Sequence, residues 1–169
     1  MNRIGTLFAD LHDTEAALAA EFRDTAEHHP GDHGTHRVCR ALAEQCDRHT
    51  TALHTLAEPY GVDLAEAKEA GVLDAALGAL RHAGHGLRPR HYGSGLLLLH
   101  DLRRLYQLGQ RGSLDWTMLA QAARALRDQD LLREATTLHR ETLVQLKWIR
   151  TRVAETAPQI LAVDHREGV

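Results

Sequence analysis

Apolar residues recur at helical spacing through the first third of the chain. Between residues 2 and 29 they stand three, four or seven positions apart, as they do on one face of an α-helix. Pro30 and Gly31 end this pattern, because proline cannot continue a helix and glycine is common just beyond a helix end. The apolar stripe of this first helix consists of Ile4, Leu7, Phe8, Leu11, Leu18, Phe22 and Ala26.

A second stripe predicts a helix over residues 35–58, which stops before Pro59 and Gly61. Asp63 followed by Glu66 resembles a capping box and predicts a short helix there, and another short helix is expected over residues 72–83. Glycines and Pro89 then predict a loop over residues 84–95. The stripe of the second helix consists of Val38, Leu42, Leu53 and Leu56.

The second half of the chain predicts two further main helices. One is expected over residues 96–111, where Gly112 and Ser113 break the pattern. No glycine or proline occurs from there to Ala157, and one helix over that whole stretch would be about 66 Å long. We therefore expect a bend between residues 125 and 130 and a fourth helix from the bend to Ala157, ended by Pro158. Residues 163–169 are predicted to be a frayed tail.

Four main helices and a long crossover between the second and third predict an all-α fold. The expected architecture is one ferritin-like four-helix bundle domain over residues 1–169, with short additional helices in the crossover. Composition supports this prediction, since the chain holds 27 Leu and 25 Ala but only three Ile. Leucine and alanine are strong helix formers, whereas β-branched residues favour strands.

Composition also excludes several classes of protein. Hydrophobic residues make up 43% and charged residues 25% of the chain, as in an ordinary globular domain. A net charge of −3 argues against a nucleic-acid-binding protein. The first residues do not resemble a signal peptide, and no apolar run is long enough to span a membrane. Cys39 and Cys46 are seven residues apart on one predicted helix, too far for a disulfide with each other. We therefore expect free buried thiols in a cytoplasmic protein, and the alternative is an intermolecular disulfide.

Several polar residues fall within or beside the predicted apolar stripes, and four of them are candidates for a site. Glu15 and His49 lie near the centres of the first two stripes, Asp101 lies towards one edge of the third, and Glu141 lies at the margin of the fourth. Buried charges are costly unless they are paired or bind a metal. Glu15, His49, Asp101 and Glu141 are therefore candidate metal ligands. The alternative is a structural pair in which Glu15 hydrogen-bonds His49 or an arginine.

Other histidines and the two tryptophans suggest further hypotheses. The histidines at the first turn (His28, His29, His33 and His36) indicate a solvated loop or a surface site for a metal or for protons. The basic stretch of residues 81–91 indicates a solvated loop or a site for an anion. Trp116 and Trp148 are expected at a bundle end or at an interface, and with nearby arginines they favour a homodimer or another homo-oligomer.

The first 60 residues resemble the ferritin-like superfamily, in particular its DUF892 (YciE/YciF-like) stress-protein branch. The resemblance rests on LFADLHDTEAALAAEFRDTAEHH and on CRALAEQCDRHTTALHTLAEPYG. It implies that Glu15 corresponds to the ligand of the first helix and His49 to the histidine of a Glu-x-x-His pair. Cys46 stands where the glutamate of that pair belongs, and Glu141 is followed three residues later by Val144 rather than histidine.

The resemblance therefore implies a bundle that keeps the scaffold and lacks a complete di-iron centre. We expect a non-catalytic structural or interaction protein that carries no cofactor, and the resemblance implies a role in the stress response. The alternative is a metal-binding oxidoreductase or metal-storage protein, which would hold iron or another divalent metal at Glu15, His49 and Asp101. A third alternative is a bundle that binds a small apolar ligand in its core.

Overall fold

Four long helices make up the part of the chain that the computed structural model describes, which is residues 3–64 and 94–163. They are α1 (Arg3–His28), α2 (His33–Ala57), α3 (Ser94–Leu126) and α4 (Gln129–Val163), and a 3-10 turn (Glu58–Tyr60) follows α2. The described residues contain no strand. The prediction of an all-α bundle is confirmed. The predicted crossover helices and loop (residues 65–93) and most of the predicted tail (residues 164–169) lie outside the described residues.

Contacts between side chains give the directions of the helices. Glu15 near the middle of α1 contacts Trp116 of α3, and Glu21 further along α1 contacts Arg104 earlier in α3, so these two helices are antiparallel. The pairs that join α2 to α4 also run in opposite order along the chain. Because α1 and α2 form one hairpin and α3 and α4 another, α2 and α3 point in the same direction. The end of α2 and the start of α3 therefore lie at opposite ends of the bundle.

The turn between α1 and α2 is built around Asp32. Its carboxylate caps α2 by accepting hydrogen bonds from the backbone N–H of Thr35 at 3.0 Å and from the Thr35 hydroxyl at 2.7 Å. It also binds the guanidinium of Arg152 from α4. Asp32 therefore stabilises the first turn of α2 and also connects it to the α3–α4 hairpin.

Helix α3 does not end at Gly112, so the predicted break at Gly112 and Ser113 is wrong. The helix continues to Leu126. Gly109 and Gly112 both lie within it, where neighbouring helices come close. A Cβ on Gly109 would lie 2.8 Å from a methyl carbon of Leu146, and one on Gly112 would lie 3.4 Å from the methyl carbon of Thr14. Only the contact of Gly109 is closer than a Cβ normally allows, so Gly109 serves close helix packing. The weak helix propensity of both glycines is outweighed by tertiary contacts.

The predicted bend between residues 125 and 130 is confirmed. Arg127 adopts a left-handed conformation with φ of 59°, and the backbone N–H groups of Arg127 and Asp128 bond to the carbonyls of Arg124 and Ala123. This is the Schellman arrangement that ends many helices. The Asp128 carboxylate then caps α4 by accepting from the N–H of Leu131 at 2.9 Å.

The predicted end of the fourth helix at Ala157 is also wrong. Helix α4 runs through Pro158, which lies exposed on its surface, and reaches Val163. A methylene of Ile160 would lie within 2.9 Å of a Cβ on Gly95, so the last turn packs closely on the start of α3. That contact helps to offset the hydrogen bond that a proline removes from a helix.

The core consists of two apolar clusters with a polar layer between them. One cluster contains Phe8, Leu53 and Trp116, and the other contains Phe22, Leu102 and Ile149. Cys39 and Cys46 are free and buried, as predicted. Within residues 3–64 and 94–163, none of the helices combines the length and apolarity that crossing a bilayer requires.

Candidate functional site

Each of the four helices contributes a side chain to the polar layer at the middle of the bundle. Glu15 comes from α1, His49 from α2, Trp116 from α3 and Glu141 from α4. Glu15 and His49 are fully buried, with no exposed side-chain surface. The apolar stripes place both residues there, because each stands on the inward face of its helix between larger hydrophobic residues.

His49 lies between two carboxylates. Its Nδ1 atom is 3.1 Å from Oε2 of Glu15, and its Nε2 atom is 3.0 Å from Oε2 of Glu141. A carboxylate accepts hydrogen bonds, so this position favours a proton on each ring nitrogen. The arrangement therefore favours the imidazolium form, a cation flanked by two carboxylates.

The balance of forces on His49 supports this protonation state. Burial by itself lowers the pKa of an imidazole, because it disfavours the charged form. The interactions of His49 with Glu15 and Glu141 outweigh burial, and the pKa of His49 is raised above its ordinary value of 6.5.

Glu15 is held by α3 as well as by His49. The indole N–H of Trp116 donates to Oε1 of Glu15 at 2.8 Å, and the Trp116 ring meets the His49 ring edge-on at 5.9 Å. Oε2 of Glu15 faces Nδ1 of His49, but their angles depart from those of a hydrogen bond. Neither atom has a hydrogen-bond partner among the residues that the structure describes. The Glu15–His49 contact is thus an ionic contact rather than a well-aligned hydrogen bond.

Glu141 links the buried pair to the surface and to a chain of amides. Its side chain is 38% exposed, and it accepts a hydrogen bond from Nε2 of Gln45 at 2.7 Å. Nε2 of Gln145 donates in turn to Oε1 of Gln45 at 2.8 Å. These contacts satisfy the polar groups of α2 and α4 where the two helices meet.

Cys46 borders the layer as a protonated thiol. Burial raises its pKa, and the nearby Glu15 raises it further. Burial also raises the pKa of Cys39, to about 12. Since the thiolate is the form that binds metals and attacks electrophiles, neither cysteine is prepared for such chemistry.

Asp101 does not join the other three candidate ligands. It lies near the C-terminal end of α1, where Nδ1 of His28 and Nε2 of His29 are both 3.0 Å from its Oδ2 atom. The structure thus brings Glu15, His49 and Glu141 together and places Asp101 in a different cluster. Among the residues that the structure describes, no group of three or more His, Cys, Asp or Glu side chains is arranged to hold a metal ion.

The donors at the polar layer do not fit a carboxylate-bridged di-iron centre. Such a centre uses four carboxylates and two histidines, whereas two carboxylates and one histidine meet here. The two carboxylates also face different nitrogens of His49, so they cannot share one ion with that ring. Cys46, which takes the place of a ligand in the family that the sequence resembles, keeps its proton.

Three of the four histidines at the first turn contact other protein groups, which a solvated loop does not predict. His28 and His29 contact Asp101, and Nδ1 of His36 bonds to the carbonyl of Ala26 at 2.9 Å. His33 is exposed. A role for these residues in metal or proton binding stays a prediction. The second basic stretch, residues 81–91, lies outside the described residues.

Sequence reasoning missed the contribution of Trp116. The expectation placed it at a bundle end or an interface, but it is fully buried and hydrogen-bonded to Glu15. The spacing of Leu105, Gly109, Gly112 and Trp116 was the available signal, because steps of four, three and four keep one face of a helix. The predicted break at Gly112 concealed that stripe. Trp148 is half-buried against the second cluster.

Comparisons with protein-family models, with curated proteins and with solved structures found no match. The geometry of the described residues therefore supplies the grounds for a functional proposal.

Proposed function

We propose that this chain is a ferritin-like bundle that acts as a non-catalytic structural or interaction module. The directions of the four helices support this proposal, since α2 and α3 are parallel and joined by a long stretch of chain, as in ferritin-like connectivity. The proposal includes a cytoplasmic location, consistent with two free buried thiols, and a role in stress that only the sequence resemblance suggests.

The position of His49 between Glu15 and Glu141 is the observation that carries the proposal. In a metal-binding bundle, buried carboxylates balance the charge of the ion and histidine offers a lone pair. Here a protonated imidazole would balance the carboxylates, and it has no lone pair left for a metal. On this proposal, the histidine cation supplies the positive charge beside the carboxylates that a metal ion supplies in a complete centre.

A metal-binding oxidoreductase or storage protein is the second candidate, and one observation favours it. Oε2 of Glu15 and Nδ1 of His49 are buried, face each other and make no aligned hydrogen bond. If His49 lost the proton on Nδ1, iron or another divalent metal could take two donors there. Asp101, the third ligand expected from the sequence, is engaged by His28 and His29 instead.

The homo-oligomer expected from the sequence stays a prediction. Trp116, one of the residues on which it rested, is buried inside the bundle and cannot form an interface.

Elemental analysis tests the proposal against the metal-binding candidate. The protein is purified without a histidine tag from cells supplied with iron, manganese and zinc, alongside Glu15→Gln and the control Glu44→Gln, an exposed residue of α2. We expect metal well below one equivalent in all three. About one equivalent in the wild type and the control, with none in Glu15→Gln, would overturn the proposal and locate the metal.

A further inference from the structure

The outer side of the α3–α4 hairpin carries an apolar groove that no other described helix covers. One part of it, with a volume of about 510 Å³, is lined by residues that include Leu99, Val153 and Leu161. A second part, of about 430 Å³, continues along the hairpin to Leu143. We call the two parts together the α3–α4 groove; they share Tyr106, Arg150 and Ala154.

The shape of the α3–α4 groove suits an elongated partner. Along α4 it extends from Leu143 to Leu161, a rise of about 27 Å, or five helical turns. These two leucines are 48% and 62% exposed, although they are large and apolar. Small-molecule sites enclose most of their ligand, whereas an open apolar channel between two helices is the shape into which an amphipathic helix lays its apolar face.

The charges around the α3–α4 groove are all positive. Arg103, Lys147 and Arg150 line it, and no acidic residue does. None of these three cations forms an ion pair with a residue that the structure describes. They are therefore available to carboxylates of a partner.

The charge distribution of the two hairpins also favours an acidic partner. Residues 3–64, which form the α1–α2 hairpin and the turn after it, contain eleven acidic and five basic residues. Residues 94–163, which form the α3–α4 hairpin, contain ten basic and seven acidic residues. An acidic partner is thus attracted to the side that carries the groove and repelled from the opposite side.

We propose that the α3–α4 groove docks an acidic amphipathic helix of a partner protein. The inference deepens the proposed function, on which it rests, by assigning the interaction module a surface and a class of partner. Leucine-like side chains of the partner would fill the apolar floor, and its flanking carboxylates would pair with Arg103, Lys147 and Arg150. A second copy of this chain fits less well, because symmetric pairing of two such grooves brings six cations together without an acidic residue.

The experiment measures binding of two labelled peptides by fluorescence anisotropy. Both are 18 residues long with leucines at i, i+3, i+4 and i+7 spacing, and they differ only in having glutamate or lysine at the flanking positions. We expect the glutamate peptide to bind, to bind more weakly at 300 mM than at 50 mM NaCl, and the lysine peptide to bind at least about tenfold more weakly.

Two matched pairs of variants locate the site. Ala154→Glu places a charge in the groove, and Ala16→Glu places one at an exposed alanine of α1. We expect the first to weaken binding of the glutamate peptide by about tenfold or more and the second to leave it unchanged. Arg150→Glu should weaken the glutamate peptide and strengthen the lysine peptide, while Arg37→Glu, at an exposed position of α2, should do neither. Circular dichroism verifies that each variant is folded.

Several results would overturn the inference. They are no binding of the glutamate peptide, equal binding of both peptides, or equal effects of Ala154→Glu and Ala16→Glu. A dimer in sedimentation that Ala154→Glu dissociates would assign the groove to a second copy. Preferential binding of vesicles containing phosphatidylserine, abolished by Arg150→Glu, would assign it to a lipid surface. The elemental analysis separates the two proposals, since stoichiometric metal refutes the proposed function, whereas a metal-free protein that ignores the peptide refutes only the docking site.

Discussion

At the level of single residues, His49 places an imidazole between a buried carboxylate and a partly exposed one. Glu15 is fully buried and contacts one cationic partner, His49, and one neutral donor, Trp116. Removing one partner of a buried pair leaves an uncompensated charge, which is much more costly than the net gain of the intact pair. The stability of the protein should therefore depend on the charge of His49.

We predict that His49→Gln lowers the free energy of unfolding by about 3–5 kcal/mol near pH 6, because it leaves Glu15 buried without a cation. The pKa of His49 is raised in the folded state. The stabilisation is thus complete below pH 6.5, the pKa of the unfolded chain, and is lost as the pH rises through the folded-state pKa. Urea denaturation of both proteins from pH 6 to pH 9 should show the difference shrinking.

His33→Gln is the control for this experiment, since His33 is exposed on the same helix. It should leave the free energy of unfolding unchanged at every pH. A wild-type advantage over His49→Gln that stays constant or grows with pH would show that His49 is not the cation of the core.

At the level of secondary structure, α3 shows that a helix can run through glycines when it packs against neighbouring helices. Gly109 faces Leu146 of α4, and Gly112 faces Thr14 and Leu18 of α1. Glycine in a helix costs about 1 kcal/mol relative to alanine. The packing of α3 against two helices offsets that cost, so the chain stays helical where sequence propensity alone predicts a break.

The two glycines should differ in their response to alanine. A Cβ on Gly112 would make ordinary contacts, at 3.4 Å to Thr14 and 3.9 Å to Glu15, so Gly112→Ala should raise the free energy of unfolding by about 0.5–1 kcal/mol. A Cβ on Gly109 would lie only 2.8 Å from Leu146, and moving that leucine should cancel the gain for Gly109→Ala. Thermal unfolding of both variants measures the contrast. Destabilisation by Gly112→Ala would show that α3 is not continuous there.

At the level of the whole molecule, the two hairpins meet along two seams, one between α1 and α3 and one between α2 and α4. Phe8, Leu11 and Leu18 of α1 belong to the same clusters as Leu105 and Trp116 of α3. The seam between α2 and α4 also holds a row of polar side chains, and Asp32 pairs with Arg152 at its end. Ion pairs and hydrogen bonds therefore govern how the second seam responds to pH.

Asp32→Asn tests the end of this seam, because asparagine caps a helix about as well as aspartate but carries no charge. Partial burial raises the pKa of Asp32, but hydrogen bonds from Thr35 and the charge of Arg152 outweigh it and lower the pKa to about 2. The stabilisation is present above pH 3.8, the pKa of the unfolded chain, and is lost as the pH falls through about 2.

We expect the variant to be less stable than the wild type by about 1 kcal/mol at pH 6, and the difference to shrink between about pH 4 and pH 2. Chemical denaturation across this range makes the measurement, with Glu27→Gln, an exposed residue of α1, as the control. A difference that persists at pH 2 would assign the effect to helix capping rather than to the pair with Arg152.

The sequence alone identified the all-α class, the first two helices and the inward positions of Glu15 and His49. It could do so because helical periodicity is local, and each stripe shows which residues face the core. It misplaced the ends of α3 and α4 because Gly112 and Pro158 usually end helices, and only contacts with other helices outweigh that preference.

Only the tertiary structure decided which polar residues meet. Asp101 and Glu141 both lie beside apolar stripes, yet one reaches His28 and His29 and the other reaches His49. Which histidine each carboxylate reaches depends on the axial offset between helices that are far apart in the chain. A periodic pattern carries no information about that offset. The same offset placed the indole of Trp116 on Glu15, and it aligned the two helices of the α3–α4 groove so that three cations surround an apolar floor.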